Sequence, residues 1–379
     1  MKRLTLIVFI LLITLFAKAQ KDSIKTELPS FKSMVIGDKY LYAINKHGQF
    51  YVWDLVSLQR VFVSSDSIFI AIAKDTNNNI FLGTGWGKIF KLNQQDFSTT
   101  LFMTLKKELP INEIIFNSKN EVFLVVPYVI YDPVSNKYWN EFLKGNNGTI
   151  VKKRYLFFFH KTIDRWFVMP QYTFLDSKDR IWMIRQYGEF GGSIQVFDTQ
   201  SRNEIDLAFD SLNYGLIFPR SVFEDAEQNI YFTSGLQHFF NSGSIYRSSS
   251  NRDIVQVFDG KKSIDTTTTV KLDSTGIIVV EAKNNSDFFI GPGQFNRKEQ
   301  KIYFATTEGI YKANVDDEGQ LENVELVVLP FLSWSSEPLA IGYGMSIKRI
   351  EFTNNNRLVF LTSYNGIGVY DGEKLIYLK

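Results

Sequence analysis

The residues of this chain best suited to bind a ligand are aromatic and polar side chains in predicted loops. An aromatic ring stacks on the apolar face of a sugar or a peptide side chain, and polar neighbours orient the ligand by hydrogen bonds. The candidates for such contacts are His47, Trp86, Tyr128, Arg185, Tyr187, Glu189, His238, Trp334, Tyr343 and Tyr364. Their chemistry predicts a binding surface for a glycan, a peptide or a partner protein of the cell envelope.

Carboxylates offer an alternative, an enzyme that acts on polysaccharides. Glu189, Glu281, Glu308 and Glu337 could meet at one face as acid and base. A glycosidase needs two carboxyl groups at a set separation, which sequence spacing does not define. A hydrolase or lyase therefore stays open as the second interpretation, and no catalytic residue is assigned.

The sequence predicts neither a metal site nor a cofactor. His47, His160 and His238 are widely separated, and none has a second ligand at metal-binding spacing. The chain contains no cysteine, which excludes disulfides, thiolate ligands and a cysteine nucleophile.

The candidate residues lie between copies of a short repeat. A full copy has a polar turn, an apolar strand, a glycine and a second apolar strand, as in residues 79–91 and 301–313, whereas the copy that begins at Val122 is shortened and lacks the glycine. The central strands of the copies begin at Leu41, Ile80, Val122, Ile181, Ile230, Ile302 and Val359. Such a unit cannot bury its apolar face alone, so neighbouring units must stack on one another.

The repeat predicts an all-β fold, a β-propeller formed by residues 31–379. An Asp- or Asn-rich turn and a short apolar strand precede most central strands, and a fourth strand usually follows, which is typical of a propeller blade. Seven copies predict seven four-stranded blades, with six or eight as alternatives. Residues 148–169 are interpreted as an inserted hairpin, and a second insertion near 277–296 as an elongated or an eighth blade.

Propeller topology predicts where the candidate residues lie. The loop between the second and third strands of a blade opens on the same face as the crossover to the next blade, and the Asp/Asn turns lie on the opposite face. Because the candidates fall in the first group of loops, we expect them around a central depression. The alternative is that half of these rings pack between blades.

The repeats resemble those of two-component regulator propellers, a group of YVTN/WD40-like β-propellers. Their consensus runs Asp, Gly-Asn, Leu-Trp-Ile-Gly-Thr, then Gly-Leu and an aromatic strand. The matching segments are Asp75 with 79–84, Asp176 with 180–183, Asp225 with 229–234, 302–313 and 359–370. That family usually forms the periplasmic sensing half of a membrane-spanning histidine kinase. The resemblance implies a propeller with a sensing or docking role, although this sequence carries no kinase and no transmembrane helix after its first residues.

Residues 1–19 have the features of a signal peptide, and residues 20–30 are interpreted as an N-terminal extension. Lys2 and Arg3 precede an apolar run over residues 4–16, and Ala17 and Ala19 supply the small residues of a cleavage site. The run is shorter than the roughly 20 residues of a membrane-spanning helix. We therefore expect cleavage and export of a soluble protein to the periplasm or the medium, with no stable membrane insertion.

The charge balance of the cleaved chain argues against a nucleic-acid partner. The full chain has 42 basic and 40 acidic residues, and cleavage after residue 19 removes Lys2, Arg3 and Lys18 but no acid. The net charge then changes from +2 to −1. A near-neutral surface has no general attraction for nucleic acid or anionic membranes.

Overall fold

The structure is a computed structural model in which the repeat forms short antiparallel strands. It describes residues 29–106, 108–127, 129–139, 150–155, 158–163, 169–205, 218–237, 241–248, 254–260, 268–270, 279–282, 288–306, 309–328, 347–363 and 366–379. Apolar and β-branched residues dominate the strands, and Asp, Asn and Gly occupy the turns, as expected for pleated and half-buried elements.

Within these residues the strands form seven four-stranded sheets, each with its strands side by side in sequence order. Blade 1 contains β1 (Phe31–Ile36), β2 (Tyr40–Asn45), β3 (Gln49–Asp54) and β4 (Arg60–Ser67). Blade 2 contains β5 (Phe69–Lys74), β6 (Ile80–Thr84), β7 (Lys88–Leu92) and β8 (Thr99–Thr104). Blade 3 contains β9 (Glu113–Phe116), β10 (Val122–Val126), β11 (Val129–Asp132) and β12 (Lys137–Trp139).

Two inserted hairpins occur in the rest of the described chain, one before blade 4 and one between blades 5 and 6. The first hairpin is β13 (Ile150–Tyr155) with β14 (Phe158–Ile163). Blade 4 contains β15 (Tyr172–Leu175), β16 (Arg180–Gln186), β17 (Gly192–Asp198) and β18 (Asn203–Ile205), with a 3-10 turn at Gly188–Phe190. Blade 5 contains β19 (Pro219–Glu224), β20 (Ile230–Gln237), β21 (Asn241–Ser248) and β22 (Ile254–Asp259).

The second hairpin is β23 (Thr268–Val270) with β24 (Val279–Ala282). Blade 6 contains β25 (Ile290–Asn296), β26 (Lys301–Thr306), β27 (Ile310–Val315) and β28 (Leu321–Val328). Blade 7 contains β29 (Ile347–Phe352), β30 (Leu358–Thr362), β31 (Ile367–Tyr370) and β32 (Leu375–Leu378). Because β25 is the first strand of blade 6, residues 290–296 belong to a blade rather than to an insertion.

The all-β, seven-bladed propeller predicted from the repeat is confirmed. Each predicted central strand is the second strand of one blade, from β2 to β30. The described part of the alternative eighth blade is the two-stranded sheet β23–β24. Residues 1–28, with the predicted signal peptide, lie outside the described residues, so that assignment stays a prediction.

Apolar side chains are buried between blades rather than in one central core. Each of the seven blade junctions has its own buried cluster. At the junction of blades 4 and 5, for example, Trp182 and Val196 pack with Val222 and Phe232. Each blade therefore buries both of its faces only by stacking on two neighbours, which ties the stability of one repeat to the next.

The turns between first and second strands share one local geometry. Asp75 Oδ1 accepts hydrogen bonds from the backbone amides of Asn77 at 2.9 Å and Asn79 at 2.8 Å. Asn117, Asp176 and Asp225 repeat this pattern in blades 3, 4 and 5. A residue one or two positions before the second strand adopts a left-handed backbone in six blades, at Asn78, Asn120, Asp179, Gln228, Gln300 and Asn356. Asn or Asp occupies four of these six positions, and both tolerate that conformation.

These same turns connect the blades in a closed ring of side-chain contacts, which we call the turn belt. Serine, threonine and asparagine donors of one turn reach acceptors in a neighbouring turn, and one junction uses an ion pair. The contacts are Asn78–Asp38, Thr76–Asn120, Ser118–Asp179, Ser177–Glu224, Arg297–Glu224, Asn356–Glu299 and Asn354–Asp38. The belt thus spans all seven junctions on the face opposite the crossovers.

The junction of blades 7 and 1 closes the ring without a shared strand. All four strands of blade 1 precede those of blade 7 in sequence, so side chains make the closure. Trp53 Nε1 donates to the Lys379 carbonyl at 3.1 Å, and Arg357 Nη1 donates to the Leu55 carbonyl at 2.5 Å. Trp53 is 1% exposed and belongs to the apolar cluster shared by the two blades.

Candidate functional site

The first strands of all seven blades surround a central channel. A cavity of about 1430 Å³ is lined by residues of β1, β5, β9, β15, β19, β25 and β29. Pockets for small molecules are typically about 300–1,000 Å³, so this channel has room for a segment of a polymer.

The two ends of the channel differ in character. In each blade the start of the first strand pairs with the end of the second, as Phe69 does with Thr84 and Ile347 with Thr362. The crossovers therefore enter the first strands at one end, which we call the crossover mouth. The other end is formed by the turns of the belt.

The axis near the crossover mouth is bridged by Arg349. This residue of blade 7 places its guanidinium carbon 5.7 Å from the ring centre of Tyr172, which belongs to blade 4 across the channel. Its Nε donates to Glu351 Oε1 at 2.7 Å. Burial opposes the charge of Arg349, but attraction by Glu351, Tyr172 and Glu113 outweighs it and raises the arginine pKa. Its side chain is still 39% exposed, because it faces the open channel.

Tyr172 and Glu113 have pKa values shifted by the same surroundings. Burial raises the pKa of Tyr172 to about 12, and the nearby Arg349 opposes the shift. Burial also raises the pKa of Glu113, against a hydrogen bond donated by Thr173 and the attraction of Arg349 and Lys32. The carboxyl group of Glu113 is therefore biased toward its neutral form.

Cations outnumber carboxylates along the channel wall. The lining contains the basic residues Lys32, Lys74, Arg220, Lys348 and Arg349 and the acidic residues Glu113 and Glu351. Lys74 lies at the turn end and donates to the Ile36 carbonyl at 2.8 Å. Among the described residues, no carboxylate lies within ion-pair distance of Lys32, Arg220 or Lys348.

Arg220 is held in place by neutral groups of the mouth. Its Nε donates to the Gly235 carbonyl at 2.7 Å, and its Nη1 donates to Gln186 Oε1 at 3.0 Å. The guanidinium also lies 5.1 Å from the ring centre of Phe289. Burial without a nearby carboxylate lowers the pKa of Arg220 to about 10.

Three sequence-predicted site residues with described side chains lie in loops between second and third strands, on the crossover side. His47 is exposed, and its backbone amide donates to Asn45 Oδ1 at 2.9 Å. Trp86 is 43% exposed beside Gly87, which has a left-handed φ of 78°. Tyr187 is 37% exposed and shares a 2.8 Å hydrogen bond with the Ser193 hydroxyl. They come from blades 1, 2 and 4, so they surround the mouth rather than form one cluster.

Arg185 has a different setting. It lies within β16, where the strand continues one residue further to Gln186, and it is 4% exposed. Burial lowers its pKa to about 10, while Tyr187 and Glu204 oppose the shift. Arg185 is absent from the channel lining that Gln186 contributes to, so the structure places it inside blade 4.

The other predicted contacts are not described at side-chain level. Glu189 lies in the 3-10 turn of blade 4, and only its backbone is described. The predicted residues that lie outside the described residues are Tyr128, His238, Trp334, Tyr343 and Tyr364.

Sequence reasoning missed the residues that the channel brings together. Lys32, Glu113, Arg220 and Lys348 each stand at or next to the start of a first strand. The recurrence of a charged residue near this position in several repeats was the available signal. Its meaning depends on radial closure, because only closure makes these positions converge.

The described residues contain no cluster of three or more His, Cys, Asp or Glu side chains arranged to hold a metal ion. Among the same residues, no helix has the length and hydrophobicity needed to cross a membrane.

Comparisons with solved structures identify other propellers. No family model matches the chain, and no curated protein does. A streptogramin B lyase is similar with a TM-score of 0.51 and 10% identity, covering 91% of this chain and 94% of that chain. The virginiamycin B lyase from Staphylococcus aureus has a TM-score of 0.44 and 14% identity, covering 83% and 84%. The extracellular domain of a proposed one-component system, BT4673 of B. thetaiotaomicron, has a TM-score of 0.40 and 14% identity, covering 92% and 46%. At 10% identity, the similarity to the streptogramin B lyase shows the fold alone.

Proposed function

We propose that this protein is an exported, non-catalytic propeller that binds a ligand at its crossover mouth. The ligand is a glycan, a peptide segment or a loop of an envelope protein. One observation carries the proposal: many polar side chains of the turn face bind one another in the belt, whereas the crossover mouth presents charged groups and exposed aromatic rings. Lys32 and Lys348 have no carboxylate partner among the described residues, and Trp86 is 43% exposed. A propeller with a purely structural role would need neither lysines without a carboxylate partner nor an exposed tryptophan at this face.

The mouth combines the contacts that an extended ligand requires. Exposed rings supply stacking surface, and cations and amides supply hydrogen bonds that fix orientation. The channel volume of about 1430 Å³ favours part of a chain over a small metabolite.

Binding of the full-length mature protein to a glycan array and a peptide library tests this proposal. Trp86→Ala should weaken binding of the identified ligand about tenfold or more, as for an aromatic anchor, and leave the melting temperature unchanged. Leu101→Ala is the matched control, because Leu101 is 57% exposed on the outer strand of the same blade. Equal affinity of the Trp86→Ala protein and the wild type would remove the crossover face from consideration.

A second candidate function is a polysaccharide hydrolase or lyase. It is favoured by Glu113 and Glu351, which both line the channel, and by the raised pKa of Glu113, since a general acid must be protonated at working pH. Turnover on a polysaccharide panel that disappears in Glu113→Gln would support it. Equal product formation by wild type and Glu113→Gln would count against it.

Export is the remaining part of the proposal, and it rests on residues 1–19. N-terminal sequencing of protein recovered from the periplasm or medium should begin at Gln20. An intact Met1 in that fraction would refute cleavage.

A further inference from the structure

Two lysines of neighbouring blades stand together at the crossover mouth. Lys32 is the second residue of β1 and Lys348 the second residue of β29, so they occupy equivalent positions in blades 1 and 7. Both side chains are exposed and line the channel. Lys46, in the loop between β2 and β3, is close enough to act on Lys348 electrostatically.

The electrostatics show that these ammonium groups repel one another. The channel wall partly removes water from the ammonium group of Lys348 and lowers its pKa, and repulsion by Lys46 and Lys32 lowers that pKa further. The same partial desolvation lowers the pKa of Lys32, with only a partial opposing effect from Glu113. Like charges held together without a carboxylate are costly, and an anion placed between them would relieve that cost.

The nearby acids do not compensate this charge. Glu351 is bound to Arg349 at 2.7 Å. Glu113 accepts a hydrogen bond from the Thr173 hydroxyl, and its carboxyl group is biased toward the neutral form because burial raises its pKa. The mouth is therefore locally cationic on a protein whose cleaved chain has a net charge near −1, which attracts anions to this end of the channel.

The rest of the wall suits a carbohydrate. Gln171 is exposed, and its Oε1 accepts a hydrogen bond from the backbone amide of Gln186 at 2.7 Å. The side-chain NH₂ group of Gln171 then has no partner among the described residues. Arg220 uses Nε and Nη1 within the protein, and its Nη2 has no described partner. The half-buried Phe289 ring supports that guanidinium. Free amide and guanidinium donors beside a ring match the hydroxyl groups and apolar face of a sugar.

We propose that the ligand of this mouth is an acidic oligosaccharide, whose carboxylate groups are bound by Lys32 and Lys348 while its hydroxyl groups meet Gln171 and Arg220. This inference rests on the proposed binding function and names its ligand class. Because charged hydrogen bonds are stronger than neutral ones, the lysines would select acidic over neutral glycans of the same backbone.

Fluorescence polarisation with labelled oligogalacturonate tests the proposal on the full mature protein. The fully methyl-esterified form of the same oligosaccharide is the neutral probe, and poly-L-glutamate is the peptide probe. We expect oligogalacturonate to bind most tightly, and its affinity to fall with added salt.

The test protein is the double variant Lys32→Gln/Lys348→Gln, and the single variant Lys119→Gln is its control. Lys119 is an exposed lysine in a turn of the belt, on the opposite face. The double variant should bind oligogalacturonate about ten- to hundredfold more weakly, in line with the loss of charged hydrogen bonds. Lys119→Gln should leave the affinity unchanged, and Lys32→Arg/Lys348→Arg should retain most of it.

Each contrary outcome has a distinct meaning. Equal binding of the neutral ester, or unchanged binding by Lys32→Gln/Lys348→Gln, would overturn the inference but not the binding function. Tighter binding of poly-L-glutamate would also overturn it, in favour of an acidic peptide. Failure to bind any glycan, peptide or envelope protein on a broad panel would refute the proposed function itself.

Discussion

The contact between blades 3 and 4 in the turn belt allows a sharp stability test. Asp179 accepts two hydrogen bonds from Ser118, from its amide at 2.7 Å and from its hydroxyl at 2.6 Å. Asp179 is 3% exposed, so water cannot easily replace a lost donor. A hydrogen bond to a charged group contributes about 1.5–3 kcal/mol.

Ser118→Ala removes the hydroxyl donor and keeps the amide donor. Because one of two bonds to the carboxylate remains, we expect the free energy of unfolding to fall by about 1–2 kcal/mol. Ser201→Ala is the matched control, since the Ser201 hydroxyl donates to Asp198 at 2.8 Å within one exposed turn of blade 4. Its cost should be about 0.5 kcal/mol or less.

Equilibrium urea unfolding, followed by tryptophan fluorescence, measures both changes. Asp179→Asn, which preserves the left-handed backbone at φ 60°, completes a double-mutant cycle with Ser118→Ala, with an expected coupling of about 1 kcal/mol. Equal losses for Ser118→Ala and Ser201→Ala, or a coupling near zero, would show that the belt does not hold this junction.

Two further predictions concern the channel and the seam between blades 7 and 1. Burial raises the pKa of Glu113 in the folded state, so the stability linked to its proton is present below the unfolded pKa and is lost as pH rises through the folded pKa. Glu113→Gln should therefore raise the melting temperature near pH 7 and give no gain near about pH 4; equal shifts at both pH values would contradict this. Trp53→Phe removes the 3.1 Å bond to the Lys379 carbonyl and should cost about 1–3 kcal/mol in urea unfolding, whereas unchanged stability would exclude a role for that bond in closure.

The sequence predicted the fold because the information needed is local. The Asp at the start of a turn, as at Asp75, bonds the amides two and four residues later, and this pattern recurs at a readable spacing. The glycine seven residues after the central strand begins recurs in the same way, as from Ile80 to Gly87. Blade number and strand order follow from such short-range signals.

The site was less accessible to sequence reasoning because it depends on long-range closure. Arg349 and Tyr172 are 177 positions apart in the sequence, and only the ring brings them to 5.7 Å. The second strand of blade 4 runs to Gln186, so Arg185 lies in a strand and not in a loop. Single charges in first strands, such as Lys32 and Glu113, resemble ordinary surface residues until all blades are placed.

The turn belt has a consequence for how such a molecule tolerates change. The short turns of the belt make the contacts between adjacent blades, so a change in the length of one turn would disturb the junctions on both of its sides. Both inserted hairpins, β13–β14 and β23–β24, instead occur in crossovers, where added length leaves the joints intact. Diversity among relatives, and successful grafting of new segments by design, should therefore concentrate on the crossover side, while the opposite rim keeps its spacing.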